Sequence, residues 1–259
     1  MITVKLMGGL GNQMFQYAYG FALAKRKKTN LLLDISYFSE KNSDTKRIFE
    51  LEQLCITQRN TRAKLLLTKI PKIGHRLKPF LNYFEGYFQC EKYFADCEGD
   101  IRKEFQFKEK LQIPEGNTVA IHIRRGDYVK FADIHLVCTP AYYENAIDYV
   151  QSKVENPVFY VFSEDLEWVK QNIIIPNNSV FVDYNPNLPS SHDMQLMSLC
   201  KHQIISNSSY SWWAAWLNQN SSKIVVAPDK WLVGVTETDI YTDYMVIIST
   251  ANGKLLSTP

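Results

Sequence analysis

No run of eighteen apolar residues occurs anywhere in this 259-residue chain, so no segment reads as a membrane-spanning helix. Cysteine is sparse and unpatterned. Cys55, Cys90, Cys97, Cys138 and Cys200 are odd in number and include no C-x-x-C spacing, which argues against a disulfide framework or a thiolate zinc site and for reduced thiols in a cytoplasmic protein. Net charge is nearly absent: a formal +2 supplies no basic field of the kind that holds nucleic acid. Internal repeats and low-complexity linkers are missing as well. The opening "MITVKLMGGLGNQMFQYAYGFALAKRKK" has its basic residues after the apolar stretch, and Asn12, Gln13 and Gln16 interrupt that stretch, so it fits neither a signal peptide nor a membrane span. One absence is local. Between Glu52 and Glu85 there is no acidic residue, while Arg59, Arg62, Lys64, Lys69, Lys72, Arg76 and Lys78 accumulate. Residues 59–78 therefore form either a solvated basic face or a segment that rests on the inner, anionic surface of a membrane.

What is present is enough apolar material for a core, 46% of residues, arranged with two periodicities. Residues 2–7 suit a strand, "GGLGNQ" a turn, residues 13–27 a helix and "NLLLD" a second strand ending at Asp34. Residues 35–116 are weakly patterned and read as mainly helical, broken at Pro71, Pro79 and Pro114. The second half is clearer. "TVAIHI", "PVFYVF", "SVFVDY", "HQIIS" and "KIVVAP" alternate with helically spaced "PAYYENAIDYV", "EDLEWVKQNI", "SHDMQLMSLC" and "SYSWWAAWL". Five strands alternating with four helices predict a doubly wound, mostly parallel sheet in an α/β fold. The division expected is residues 1–115 and residues 116–259. Ligands of such sheets bind beyond the carboxyl ends of the strands.

Three stretches stand at such ends. "HIRRGDY", His122 to Tyr128, follows "TVAI" and places Arg124 and Arg125 where two guanidinium forks can offset a pyrophosphate, or else pair with Asp127 and nearby acids to hold the loop. "SNSSYSWWAAWL", Ser206 to Leu217, puts Ser208 and Ser209 at a helix start, as an anion site or as simple caps. Trp212, Trp213 and Trp216 read as the core face of that helix. "GGLGNQ" has Gly9 and Gly11 in the G-x-G spacing of a dinucleotide loop, with Asp34 ending the next strand, but Met14 stands where the third glycine belongs. A dinucleotide-dependent oxidoreductase is thus an alternative. The loop also offers the amides of Asn12 and Gln13 to a hydroxyl or a phosphate oxygen. A non-catalytic glycan- or nucleotide-binding protein is a second alternative, since Tyr87, Phe88, Tyr93 and Phe94 would suit sugar stacking.

"GGLGNQMFQYA", "HIRRGDY" and "SNSSYSWWAAWL", in that order, with "GYFQCEKYF" and "FSEDLEW" between them, resemble the bacterial alpha-1,2-fucosyltransferase family, glycosyltransferase family 11, over about residues 1–230. The resemblance implies a GT-B-like arrangement of two Rossmann-like halves. The first would face the acceptor and the second would bind GDP-fucose. It also implies an inverting, metal-independent transfer of L-fucose from GDP-fucose to the 2-hydroxyl of a galactose in a glycan acceptor, with no cofactor. The sequence has no Asp-x-Asp pair placed after a strand as a metal clamp for a nucleotide sugar would be.

By the same resemblance Arg124 matches the arginine that holds the β-phosphate of departing GDP, and Arg125 either helps it or braces the loop. His122 lies beside the nucleotide or is a core histidine. Ser208, Ser209 and Tyr210 meet the phosphates, while Gly11 and Asn12 belong to the amino-terminal loop that reaches sugar or phosphates. Asp193 accepts from guanine or is an ordinary first-turn acid of a helix; Ser163 and Glu164 are lesser candidates of that kind. Asp127 is the general base hypothesised for the acceptor hydroxyl, with Asp133, His135 and Glu164 as alternatives.

Overall fold

The structure, a computed structural model, describes residues 1–39, 47–57, 82–112, 115–126, 128, 136–183, 185, 187–235 and 238–259. The basic run at 59–78 and the carboxylates and imidazole of Asp127, Asp133 and His135 lie outside the described residues. The chain divides into two compact units, Met1–Glu109 and Lys110–Pro259.

In the first unit, β1 (Ile2–Lys5), α1 (Leu10–Arg26) and β2 (Leu31–Asp34) form a parallel crossover. A short strand, β3 (Tyr83–Phe84), pairs parallel with the other side of β1, giving the order β2-β1-β3. The helix begins three residues earlier than the sequence pattern suggests. Only Gly8, at φ +78°, needs the left-handed backbone that glycine adopts without strain, and Gly9 is extended and serves as N-cap. Gly11 and Asn12 are therefore first-turn helical residues and not part of a turn. Close packing of helix on sheet falls to Gly20, where a Cβ would stand 2.7 Å from Val4 Cγ2 and 2.8 Å from Leu31 Cδ1. The expectation of a mainly helical 35–116 holds only for α2 (Glu98–Glu104) and short 3₁₀ turns among the described residues. Its buried Glu104 accepts from Tyr17 Oη at 2.5 Å and from Thr57 N and Oγ1, each at 2.6 Å, which ties three segments of the unit together.

The second unit contains β4 (Asn117–Ile123), α3 (Pro140–Gln151), β5 (Pro157–Ser163), α4 (Leu166–Asn172), β6 (Val180–Val182), α5 (Ser190–Leu199), β7 (His202–Ile204), α6 (Ser209–Leu217), β8 (Val225–Pro228), β9 (Met245–Ile248) and β10 (Leu255–Ser257). The five strands and four helices expected are all here. The order is β10-β9-β8-β7-β4-β5-β6, parallel throughout except for β10 against β9. β9 and β10 lie outside the strand–helix alternation that the sequence predicts, because among the described residues no helix separates either from the strand before it. Val119, Ile121, Phe159, Val161, Ile204 and Val226 build the sheet side of a core that Tyr142, Tyr143, Ala146 and Val150 of α3 cover. Thr139 and Pro140 start α3 as N-cap and first residue, with Thr139 Oγ1 accepting from Tyr142 N at 3.4 Å. Among the described residues no helix is long and apolar enough to cross a membrane.

Candidate functional site

From β4 the chain moves outward through β5 to β6, then returns to lay β7 along the opposite side of β4. The order thus reverses between β4 and β7, and the carboxyl ends flanking that point are where a doubly wound sheet opens a crevice. Ile121 of β4 faces Ile204 of β7, and Ile123 faces Ser163 of β5. Arg124 and Arg125 therefore leave the sheet between the end of β5 and the Ser206–Ser208 segment. β4 is buried without a break from Thr118 to Ile123, and Arg124, Arg125 and Gly126 beyond it are half-buried.

The two arginines do different things. Arg125 is locked: its Nε lies 3.3 Å from Asp165 Oδ2, and its guanidinium stands 3.4 Å from the centre of the Trp168 ring. Asp165 is itself the N-cap of α4, accepting from Trp168 N at 3.3 Å. Arg124 Nη1 lies 3.2 Å from Glu164 Oε1, and its side chain keeps 26% exposure. Its guanidinium carbon is 5.5 Å from the Tyr128 ring centre, and Tyr128 Oη donates to the backbone oxygen of Asn207 at 3.1 Å. Asn207, which the sequence reading passed over, is buried and organises the neighbouring loops. Its Nδ2 donates to Leu136 O at 2.8 Å and Trp231 O at 2.9 Å.

His122 is buried, with Nδ1 2.9 Å from Ser206 Oγ across the β4–β7 boundary, and its ring centre lies 5.7 Å from that of Tyr210. Burial first, and the Arg124 charge second, push its imidazole pKa down from 6.5 to about 3. The ring is neutral at physiological pH and is a weak base. Because the folded value lies below the unfolded one, the unfolded chain takes up a proton near pH 6.5 and the native one does not until about pH 3. His122 therefore stabilises the fold fully above pH 6.5, and this contribution declines as pH falls toward 3. His202, depressed by burial and by Lys201, acts in the same direction. Urea unfolding at pH 7.5 and pH 5 measures this: the wild type is expected to lose about 2 kcal/mol more than His122→Gln over that interval, at ~1.4 kcal/mol per pH unit per proton. Equal losses would contradict the buried neutral imidazole.

The helix side is built by α6. Ser208 is its N-cap, with Oγ accepting from Tyr210 N at 3.3 Å, so the capping reading applies to this hydroxyl. The hydroxyl of Tyr210 donates to Ser190 O, linking the beginning of α6 to that of α5. Asp193 sits in the first turn of α5, and its Oδ1 lies 3.1 Å from His192 Nδ1. Trp212, Trp213 and Trp216 are all buried in core contacts, with Trp212 Nε1 donating to Ile240 O at 2.8 Å.

In the first unit Asn12 Oδ1 accepts from Gln89 Nε2 at 2.8 Å. Gln13 points inward, contrary to the expectation from its neighbourhood: Nε2 donates to Gly8 O and Ile48 O, and Oε1 accepts from Glu50 N, all at 2.9 Å. Asp34 is likewise committed, to Tyr83 Oη at 2.6 Å and Ser36 N at 2.9 Å. A carboxylate engaged in this way does not fit the ribose contact of the dinucleotide reading. Among the described residues no three His, Cys, Asp or Glu side chains converge as a metal site would require.

The family model for glycosyl transferase family 11 matches residues 64–242. The O-antigen biosynthesis glycosyltransferase WbnK of Escherichia coli is 35% identical over 293 residues, 92% of this chain and 97% of its own. An alpha-1,2-colitosyltransferase of Escherichia coli is 34% identical over 272 residues, 89% of this chain and 92% of its own. Among solved structures, NodZ alpha-1,6-fucosyltransferase soaked with GDP-fucose matches with a TM-score of 0.58 at 12% identity, over 100% of this chain and 99% of that one. At that identity the likeness is one of fold, the GT-B type with two Rossmann-like halves.

Proposed function

The chain belongs to glycosyl transferase family 11 and transfers a sugar from a nucleotide donor; from this we propose that it moves L-fucose from GDP-L-fucose to the 2-hydroxyl of a galactose in a glycan acceptor, with inversion and without a metal ion. The observation that carries the reading is Arg124 at the strand-order reversal, on the strand whose other neighbour leads into the amino end of α6. A departing GDP gains negative charge on its β-phosphate as the sugar bond breaks. A guanidinium fork and first-turn amides aimed at that charge stabilise the transition state more than the ground state.

In this reading Arg124 holds the β-phosphate, and Ser208, Ser209 and Tyr210 present the helix start to the diphosphate. Arg125 braces the loop against Asp165 and Trp168. His122, neutral, and Asp193 take the guanine end, while Gly11 and Asn12 contact sugar or phosphate. Asp127 accepts the proton of the acceptor hydroxyl in a single displacement at the anomeric carbon; the imidazole of His122 is too weak a base for that role.

Two measurements test the proposal together. Calorimetry with GDP in the presence of EDTA is expected to show binding, and incubation of GDP-L-fucose with β-galactosides is expected to release GDP and form an α-linkage on the 2-hydroxyl, read by NMR. GDP-colitose, whose sugar is L-fucose without its 3-hydroxyl, runs in parallel, because one of the similar proteins is a colitosyltransferase. Transfer only from GDP-colitose would replace the donor sugar in the proposal. GDP binding that requires a restored divalent cation would remove the metal-free mechanism.

A further inference from the structure

Glu164 follows the last residue of β5 in the "FSEDLEW" stretch, and the sequence places it only among lesser candidates for nucleotide contact or base chemistry. Its side chain is engaged differently. One oxygen, Oε1, accepts from the backbone N–H of Arg125 at 3.1 Å and lies 3.2 Å from Arg124 Nη1. A single carboxylate oxygen thus holds both the main chain after Arg124 and the guanidinium of Arg124. The side chains of Arg124 and Glu164 are 26% and 25% exposed, so the pair is three-quarters withdrawn from water and less screened than a surface ion pair.

Gly126 supplies the second observation. A Cβ at that position would stand 2.6 Å from Glu164 Oε1, 3.1 Å from its Cγ and 3.3 Å from its Cδ. The Glu164 side chain thus occupies the space that a side chain at position 126 would enter. The φ of Gly126 is not in the left-handed region, so a side chain at this place would meet the Glu164 carboxylate and not a strained backbone, and the carboxylate would have to move. The pattern Arg124-Arg125-Gly126 therefore contains a seat for Glu164.

Resting on the proposed donor reading, we infer that Glu164 is a positioning residue: it sets the Arg124 guanidinium in the orientation that receives the diphosphate, through the carboxylate seat that Gly126 leaves open. Without it, the arginine loses one of the contacts that fix its side chain, and more of the ordering is left to donor binding. That ordering cost falls on diphosphate binding and on leaving-group stabilisation. It does not fall on the nucleoside, which Arg124 does not touch.

The experiment compares GDP and guanosine binding by calorimetry, with initial rates, for Glu164→Ala, Glu164→Gln, Gly126→Ala and the double variant Arg124→Ala/Glu164→Ala. Glu164→Ala is expected to weaken GDP binding and lower kcat/KM about tenfold or more, with guanosine affinity unchanged. Glu164→Gln keeps the bond from Arg125 N and loses the ion pair, so it falls between. Gly126→Ala, which displaces the carboxylate, reproduces Glu164→Ala. In the Arg124→Ala background, removal of Glu164 has little further effect, whereas a loss through general unfolding would add. If the wild type binds GDP and Arg124→Ala abolishes that binding, but Glu164→Ala leaves it intact, the positioning role is wrong while the donor reading stands. A wild type that binds no GDP overturns the donor reading itself. Equal loss of GDP and guanosine in a well-folded Glu164→Ala also overturns the inference, because it places Glu164 on the nucleoside.

Discussion

Arg124→Ala is expected to lower kcat/KM for donor turnover by about 10²- to 10³-fold, the scale on which single preorganised charge-stabilising groups act. GDP affinity should fall with it while the protein stays folded. The reason is geometric. Arg124 leaves β4 one residue past the pairing of Ile123 with Ser163, and Glu164 meets its Nη1 at 3.2 Å, so the guanidinium is held at the sheet edge before any donor arrives. A lysine there keeps the charge and loses the planar fork, so Arg124→Lys should recover only part of the activity. Arg125→Ala separates the two arginines: its guanidinium is already spent on Asp165 and Trp168, and its loss should appear more in stability than in GDP affinity. Calorimetry and initial rates on the three variants decide the matter. An Arg124→Ala enzyme with near-normal turnover would refute the assignment of the phosphate site.

Trp212→Ala is expected to destabilise the second unit by about 3–5 kcal/mol, the range for emptying a large aromatic site in a core. The side chain is fully buried, its ring centre lies 5.0 Å from Trp213 and 6.5 Å from Trp216, and its Nε1 donates to Ile240 O. Truncation leaves a cavity and strands that carbonyl oxygen, at a further cost of about 1–3 kcal/mol if water does not reach it. A drop in melting temperature of about 10 °C or more follows for a domain of this size. Trp212→Phe restores much of the volume without the donor and should lie between. The helix concerned carries Ser208, Ser209 and Tyr210 at its start, so GDP affinity is expected to weaken along with stability. A Trp212→Ala protein that melts within a degree or two of the wild type would show that α6 is not anchored as described.

The parts of the fold that were legible are those whose information is local. "TVAIHI", "PVFYVF" and "KIVVAP" are short apolar runs bounded by turns or helically spaced segments, and they appear as β4, β5 and β8. Thr139-Pro140 marks the start of α3 for the same local reason. The two-residue β3 was not legible, since it is too short for any alternation and exists by pairing with β1. The start of α1 was misplaced because a run containing three glycines looks like a turn throughout, while only Gly8 takes the left-handed backbone. Gln13 looked available to a ligand because polar residues in a glycine loop usually face outward. Backbone groups of Gly8, Ile48 and Glu50 claim its amide instead.

The sequence by itself determined that this is an α/β protein with a parallel second half, that an arginine pair stands at the end of a strand, and that a tryptophan-rich helix with serines at its start follows another. Each of these rests on periodicity or on caps within a few residues. Only the tertiary structure decided that β7 lies beside β4, which sets Ser206 against His122 and creates the strand-order reversal at the arginines. It alone decided that Glu164, 39 residues from Arg125, seats itself on Gly126 and takes hold of Arg124. Strand order and such distant side-chain partners depend on which buried surfaces pack together, and a local pattern of apolar and polar residues does not carry that choice.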